Sequence, residues 1–426
     1  MMNNAGFSVL LLALATTVLT MLTLLWVGIL NGQLRTLREL PAVESSSKTS
    51  SLHPYHHLID QLEWMSDFAT NKTDFPLTRP LNIYYDRKRL FHRTTSDGCR
   101  YKCIFIDTTQ NLSQGDAAVF SDSFSVKTSI RLKKRGVLLV FETEESPLHA
   151  PILSPAHLKQ VSLIKIDLVI TYMAKSPVPA VYSLFLRNKN PRYRFTAEET
   201  AFMLSKSYVH LLPPHHWRRR KLIAWAVSNL HASNNRAEYA NAVARFIPVV
   251  DIYGRNHKQF PPNINAFHFL SLNYKFYLSF ENSNCRNYIT EKVYVNALQC
   301  VMLHVISCHS FIPVFTYRHD MIPVVLGAFK DDYESALPPH SYINVDDYKS
   351  IRELTDFLLY LDTNDTAYAA YFAWKEHGRQ NPNRLDCQLC GLMHLLNTGA
   401  ARLPKQNAFE FFDSQSLCFN RPLIPL

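Results

Sequence analysis

The stretch Tyr274-Lys-Phe-Tyr-Leu-Ser-Phe-Glu-Asn-Ser-Asn-Cys-Arg-Asn-Tyr-Ile-Thr-Glu-Lys-Val-Tyr-Val-Asn-Ala-Leu298 decides the fold. Phe276 to Asn282 reads as a strand. Its apolar residues run on instead of alternating, as in a parallel sheet covered on both faces. A polar turn follows, and a helix is expected over Ile289–Leu298. A strand-to-helix turn at the carboxyl end of a parallel strand is where open α/β sheets bind their ligands. The first turn of a helix offers unpaired N–H groups and a positive dipole end to a phosphate. Lys292 stands in that turn, where a cation opposes the dipole and so has no capping purpose. Two readings of it are open: a contact to a bound anion, or a lysine paired with Glu291 or Glu281.

The same alternation continues outward. Between residues 196 and 391, strands are expected at Leu222–Asn229, Ile247–Gly254 and Ile322–Gly327, and helices at Arg236–Phe246 and Ile351–Leu361. Residues 77–195 carry strand-like runs at Leu81–Tyr85, Ala117–Phe120, Gly136–Phe141 and Ile166–Tyr172. Two such blocks in tandem imply two doubly wound α/β domains with a ligand cleft between them. No internal repeat is visible in the sequence. The 426 residues suit two domains, and 47% hydrophobic residues suffice for two cores. The 11 glycines contain no G-x-G-x-x-G, P-loop or nucleophile-elbow pattern, which removes support for dinucleotide, P-loop and serine-hydrolase chemistry. The net charge is +10, but its basic runs, such as Arg218-Arg-Arg-Lys221, never exceed four residues, so no nucleic-acid partner is expected.

Phe7 to Leu30 is 24 residues without a charge, long enough to span a bilayer and longer than a signal-peptide core. Residues 1–6 are then a short cytoplasmic tail, 7–30 an uncleaved signal-anchor and 31–76 a polar stem containing a short helix near Leu58–Phe68. Arg35 and Arg38 just beyond the span favour the opposite orientation. Glycosylation triplets at Asn71, Asn111 and Asn364 and eight cysteines favour a lumenal body. Cys387-x-x-Cys390 fits either disulfides or half a zinc site, although no second pair stands at zinc spacing.

The Tyr274–Leu298 segment closely resembles the donor-binding motif of the α1,3/α1,4-fucosyltransferases, glycosyltransferase family 10. Further matches follow in order: Lys221–Asn229, Arg236 with Tyr239, Val250–Arg255, Ile322–Gly327, Tyr333-Glu334, Tyr342–Asp347 and Tyr371–Trp374. In the first block, Glu145-Ser-Pro147 matches the family's E-S-P. The resemblance implies a GT-B-type α/β fold with two facing Rossmann-like domains: 77–195 on the acceptor side and 196–391 binding GDP-fucose. A C-terminal tail, 392–426, has no evident role. It also implies a type II Golgi membrane protein that transfers L-fucose from GDP-β-L-fucose to a GlcNAc-containing glycan with inversion. Carried over by position, Glu145 is the general base; a base needs a raised pKa, to which flanking Glu142 and Glu144 contribute if they lie close. Arg236 and Lys292 contact the diphosphate. Glu291, Asn282, Ser283 and Tyr288 line the donor pocket, with Ser228 and Asn229 as weaker members. Tyr253 and Arg255 are structural or rim residues. Cys387 and Cys390 are expected to bond back to the first domain, with Cys99 and Cys103 as available partners and the connectivity open. No D-x-D occurs, and no metal or other cofactor is expected to be required.

Three departures stand out. Asn287 replaces the family's Asp, removing a charge from the expected donor site. Thr171–Pro177 keeps little of the family's acceptor-side motif. Between Leu298 and Ile322 lie 23 residues where the family has about four. The apolar, His/Cys-rich run Cys300–Arg318 reads as a retained small intron, whose removal joins Gln299 to His319; the alternative is a genuine lumenal loop. The rival reading of the whole chain is a catalytically impaired sugar-nucleotide or glycan-binding member of the same fold.

Overall fold

The computed structural model describes residues 52–65, 79–86, 99–121, 125–150, 164–247, 250–298, 319–403 and 408–426. The expected span Phe7–Leu30, Asn71 and the run Cys300–Arg318 lie outside the described residues. Among the described residues no helix is long and apolar enough to cross a membrane.

A helix, α1 (His56–Met65), precedes the first sheet. That sheet contains β1 (Leu81–Tyr85), β2 (Cys103–Ile106), β3 (Ala117–Phe120), β4 (Leu138–Thr143) and β5 (Leu168–Thr171), with α2 (Val126–Lys134) between β3 and β4. The strands are all parallel, in the order β2-β1-β3-β4-β5. β6 (Ser183–Arg187) and α3 (Ala197–Leu204) lead into the second lobe. There β7 (Lys221–Ala226), α4 (Arg236–Phe246), β8 (Val250–Tyr253), α5 (Ala266–Asn273), β9 (Tyr274–Phe280), α6 (Glu291–Tyr294), β10 (Ile322–Leu326), α7 (Lys330–Ala336) and β11 (Ile343–Asn344) alternate. This sheet is also wholly parallel, in the order β11-β10-β9-β7-β8. Read from its first strand, each sheet places its second strand on one side and its third on the other. The two lobes therefore share one topology, 2-1-3-4-5, that the sequence does not display as a repeat. In each, the winding reverses beside the first strand, between β1 and β3 and between β7 and β9, which is where such sheets open a crevice at their carboxyl ends.

Burial explains the elements. All seven residues of β9 are buried, because helices cover both faces of its sheet. α8 (Ile351–Thr363) seats Ile351, Leu354, Leu358 and Leu361 in the second core, as its periodicity predicts, and Ser350 caps it. After α9 (Asp365–Ala370), β12 (Gly378–Pro382) pairs antiparallel with β6 and joins the lobes. α10 (Leu385–Asn397) and α11 (Ser414–Leu417) complete the chain.

Several expectations are corrected. β9 ends at Phe280 and β7 at Ala226, so Glu281, Asn282, Ser228 and Asn229 belong to the loops beyond them. The helix expected over Ile289–Leu298 is the single turn α6. Past it the amides of Asn296 and Leu298 donate to the carbonyls of Glu291 and Val293, five residues back, so the regular helix does not continue, and the carbonyls of Val295 and Ala297 accept from His319 and Met321. Stem residues 52–61 are part of the folded body: Tyr55, Leu58 and Ile59 pack into the second lobe's core. The Tyr55 hydroxyl donates to the Tyr172 carbonyl at 3.0 Å. Residues 385–391, expected with the second lobe, open α10, whose Leu385, Leu389 and Met393 pack on the first sheet against Leu81 and Ile83. Disulfides Cys99–Cys387 and Cys103–Cys390 hold it there. Strands β2, β6 and β12 had no clear signal in the sequence.

Candidate active site

The site forms at the second lobe's reversal point, from the loops after β7 (227–235) and β9 (281–290). Asn234 ties the loops together, donating from Nδ2 to the Glu281 carbonyl and to Asn284 Oδ1, each at 3.0 Å. Arg236, at the start of α4, is buried, and its guanidinium donates to the carbonyls of Phe280 and Asn229. Burial lowers its pKa from the ordinary value. Ser228 and Asn229 are exposed at the mouth, and the Asn229 side chain is engaged by the His231 amide.

Glu281 is fully buried at the end of β9. It accepts from the Thr290 amide at 2.8 Å and the Thr290 hydroxyl at 2.9 Å, and it pairs with Lys292 Nζ at 2.9 Å. Lys292 also touches Glu291 at 3.0 Å and the Thr290 hydroxyl at 2.8 Å. Burial acts to lower the Lys292 pKa, but Glu281 and Glu291 outweigh it and hold the ammonium above its ordinary value. Both partners offered by the paired reading are therefore engaged, although the lysine is far from a surface one. The anion-binding helix start shrinks to one turn, so local positive charge rests on Lys292 and Arg236 and not on a helix dipole.

The first lobe supplies the opposite wall. The loop after β4 carries Glu145, Ser146 and His149 against the second lobe. The Tyr288 hydroxyl donates to Glu145 Oε2 at 3.0 Å. The hydroxyls of Ser146 and Ser283 meet at 2.7 Å. His149 Nε2 lies 3.1 Å from Ser233 Oγ and 3.3 Å from the Asn282 carbonyl. The Tyr172 and Tyr288 rings pack 5.1 Å apart. Glu145, Tyr288, Ser283 and Asn282 are thus brought together, with Lys292, Glu291 and Arg236 behind them. Glu142 is not part of this group, because its carboxylate accepts from Tyr85 at 2.8 Å. Tyr253 is structural, with its hydroxyl on Tyr274 at 2.8 Å, and Arg255 is exposed.

Tyr182, which no motif in the sequence singles out, also belongs here. Burial first, then Glu144, Glu291, Glu281 and Glu145, push its phenol upward and keep it protonated. Asn287 is redirected relative to expectation. Its Nδ2 donates to Asp332 Oδ1 at 2.8 Å and its amide to Oδ2 at 2.7 Å, with φ 57° in the left-handed region that Asn tolerates. An aspartate there would face the Asp332 carboxylate, so the missing charge answers to a local partner.

The C-terminal tail closes the loop from behind. Cys418 bonds to Cys285, the Arg286 amide donates to the Leu417 carbonyl, and the Phe419 amide to the Asn284 carbonyl. The clusters Cys103/Cys390/His394 and Cys99/Asp386/Cys387 have metal-ligand chemistry, but their sulfurs are in disulfides, so the zinc reading of Cys387-x-x-Cys390 is not retained. Of the glycosylation candidates, Asn111 is exposed, whereas Asn364 caps α9 through the Ala367 amide.

Parallel sheets, a loop cluster at one reversal point and an acid offered by the facing lobe define a two-lobed α/β protein with an interlobe site. The model of glycosyltransferase family 10 (fucosyltransferase), C-terminal part, matches residues 216–310 and 310–405, so this region is similar to that family. It is 39% identical over 179 residues to glycoprotein 3-alpha-L-fucosyltransferase A of Drosophila melanogaster, covering 41% of this chain and 32% of that one. It is 38% identical over 158 residues to the 4-galactosyl-N-acetylglucosaminide 3-alpha-L-fucosyltransferase FUT6 of Homo sapiens, covering 37% and 38%. These alignments span about a third of the relatives' length. A solved alpha1,3-fucosyltransferase with GDP-fucose aligns at 18% identity with a TM-score of 0.42, over 73% of this chain and 87% of that one.

Proposed function

We propose that this chain is an inverting α1,3-fucosyltransferase of the GT-B type, using GDP-β-L-fucose and a GlcNAc-containing glycan. The acceptor hydroxyl oxygen attacks the anomeric carbon of fucose. The bond from that carbon to the diphosphate oxygen breaks, and the hydroxyl proton passes to the Glu145 carboxylate. Arg236 and Lys292 offset the charge that accumulates on the departing diphosphate, and no metal is required for the step. Tyr288 donates to Glu145 at 3.0 Å and so fixes the position of its carboxylate. Asn282, Ser283 and Glu291 face the fucosyl and nucleotide groups. The body is proposed to lie in the Golgi lumen, anchored by Phe7–Leu30.

The observation that carries this reading is the 3.0 Å contact between Glu145 and Tyr288. It places the matched acid of one lobe against the family segment of the other, beside two cations. The test is transfer from labelled GDP-fucose by the full chain, in EDTA, to core-chitobiose, LacNAc and LacdiNAc glycans. Transfer is expected, with Glu145→Gln reducing kcat by roughly 100- to 10,000-fold. GDP-fucose binding without transfer to any acceptor would instead favour the impaired, binding-only reading.

A further inference from the structure

We propose that Glu281 is a positioning residue of this site, a buried counter-ion that fixes the Lys292 ammonium and the Thr290–Lys292 turn for a diphosphate ligand. The proposal rests on the reading of Lys292 as the diphosphate contact.

The geometry separates the two carboxylates on Lys292. The side chain of Glu281 is 0% exposed, whereas that of Glu291 is 42% exposed and that of Lys292 18%. The outer contact, to Glu291, can be exchanged for a phosphate oxygen without uncovering a buried charge. The inner contact cannot, because withdrawing Lys292 would leave the Glu281 carboxylate unpaired in a dry site. Glu281 also closes the loop on itself: from residue 281 it binds both the amide and the hydroxyl of Thr290. Lys292 is thus set by a carboxylate anchored directly after the central strand β9, not by its own short turn.

Gly327 makes room for this arrangement. It follows β10 directly with φ 144°, and a Cβ there would lie 2.5 Å from Glu281 Cβ and 2.8 Å from Glu281 Cγ. The other titratable neighbours of the pair do not replace Glu281. Tyr277 on β9 faces Lys292. Arg236 on α4, Tyr294 on α6, Tyr333 on α7, Tyr288 in the loop, and Tyr172 and Tyr182 of the first lobe face Glu281. Glu291 is the single other carboxylate among them. Burial alone would push the Lys292 ammonium toward losing its proton, so its charge depends on Glu281.

The test is GDP titration of the full chain by calorimetry between pH 7 and pH 10. The wild-type chain, Glu281→Gln, Glu291→Gln and Lys292→Ala are compared. Wild-type affinity is expected to hold to about pH 9. In Glu281→Gln the alkaline loss is expected to begin about one pH unit lower, with binding at least about tenfold weaker at pH 9. Glu291→Gln is expected to keep the wild-type alkaline profile. Unchanged affinity and profile in a folded Glu281→Gln chain, or equal shifts in both glutamine variants, would overturn the proposal. Should Glu281→Gln not fold, Gly327→Ala, which displaces the same carboxylate, is expected to reproduce the alkaline shift, and its absence there counts equally against the idea. Failure of the underlying reading looks different: the wild-type chain would not bind GDP at any pH, or Lys292→Ala would bind it as well as wild type.

Discussion

Removing the Cys285–Cys418 disulfide tests whether the C-terminal tail is part of the site. The perturbation is the double change Cys285→Ser and Cys418→Ser, which leaves no unpaired thiol from this bridge. The two cysteines are 133 residues apart. For a loop of that length the chain-entropy relation puts the stabilisation at about 5 kcal/mol, a ceiling that measured disulfides usually undershoot, at about 2–4 kcal/mol. At about 2–4 °C per kcal/mol for a lobe of this size, Tm should fall by roughly 5–15 °C. The tail keeps other holds: Tyr239 donates to the Pro422 carbonyl at 2.7 Å, the Ile351 amide to the Pro425 carbonyl at 2.7 Å, and Arg421 to the Ala328 carbonyl at 3.0 Å. The loop carrying Ser283 and Tyr288 then stays tied to the tail by backbone bonds beside the lost bridge, from the Arg286 amide to the Leu417 carbonyl and from the Phe419 amide to the Asn284 carbonyl. Without the covalent tie that loop should loosen more than the fold, and GDP should bind several-fold more weakly. Thermal unfolding with and without GDP reads both effects. A Tm within about 2 °C of wild type together with unchanged GDP affinity would refute the argument, and would mean that hydrogen bonds alone seat the tail and the loop.

Asn287→Asp should lower stability by about 1–3 kcal/mol, because the new carboxylate faces Asp332, whose own pKa burial already raises; denaturant unfolding at pH 7 checks this, and a neutral result would show that the loop re-aims the side chain. Arg236→Lys should lose about tenfold or more in GDP affinity while remaining folded, since an ammonium cannot reach both the Phe280 and Asn229 carbonyls and a ligand at once; equal affinity in a titration would remove Arg236 from the site. Deleting 300–318 should leave an intact fold with equal or higher transfer activity, because Val295 and Ala297 already contact His319 and Met321 across the junction; transcript reads that always include the run would exclude a retained intron, and loss of folding on deletion would make the run structural. Burial lowers the pKa of His53 to about 3 and of His57 and His340 to about 4. The unfolded chain therefore binds more protons than the folded one between about pH 4 and 6.5, so stability should be greatest above pH 6.5 and fall on acidification. Tm measured at pH 7, 6 and 5 should drop by several degrees, and a flat profile would contradict the burial of these rings.

Much of this protein is legible in its sequence because local pattern encodes burial. β1, β3 and α4 stand where their residues predict them, and the uninterrupted apolar run of β9 announces a sheet covered on both faces. The segment from Glu281 to Lys292 is likewise local, and so is its likeness to a known family. What tertiary structure alone decided involves residues far apart in the chain. Glu145 meets Tyr288 across 143 positions. Cys387 chose Cys99 and Cys390 chose Cys103, a pairing that spacing leaves open. Asn287 looks like a lost charge until Asp332 is seen beside it, and Glu281 looks like an ordinary loop acid until Thr290, Lys292 and the bare Cα of Gly327 enclose it. Periodicity reports only that a side chain is covered, whereas its partner is selected by the packing of elements whose order along the chain does not state their neighbours in space.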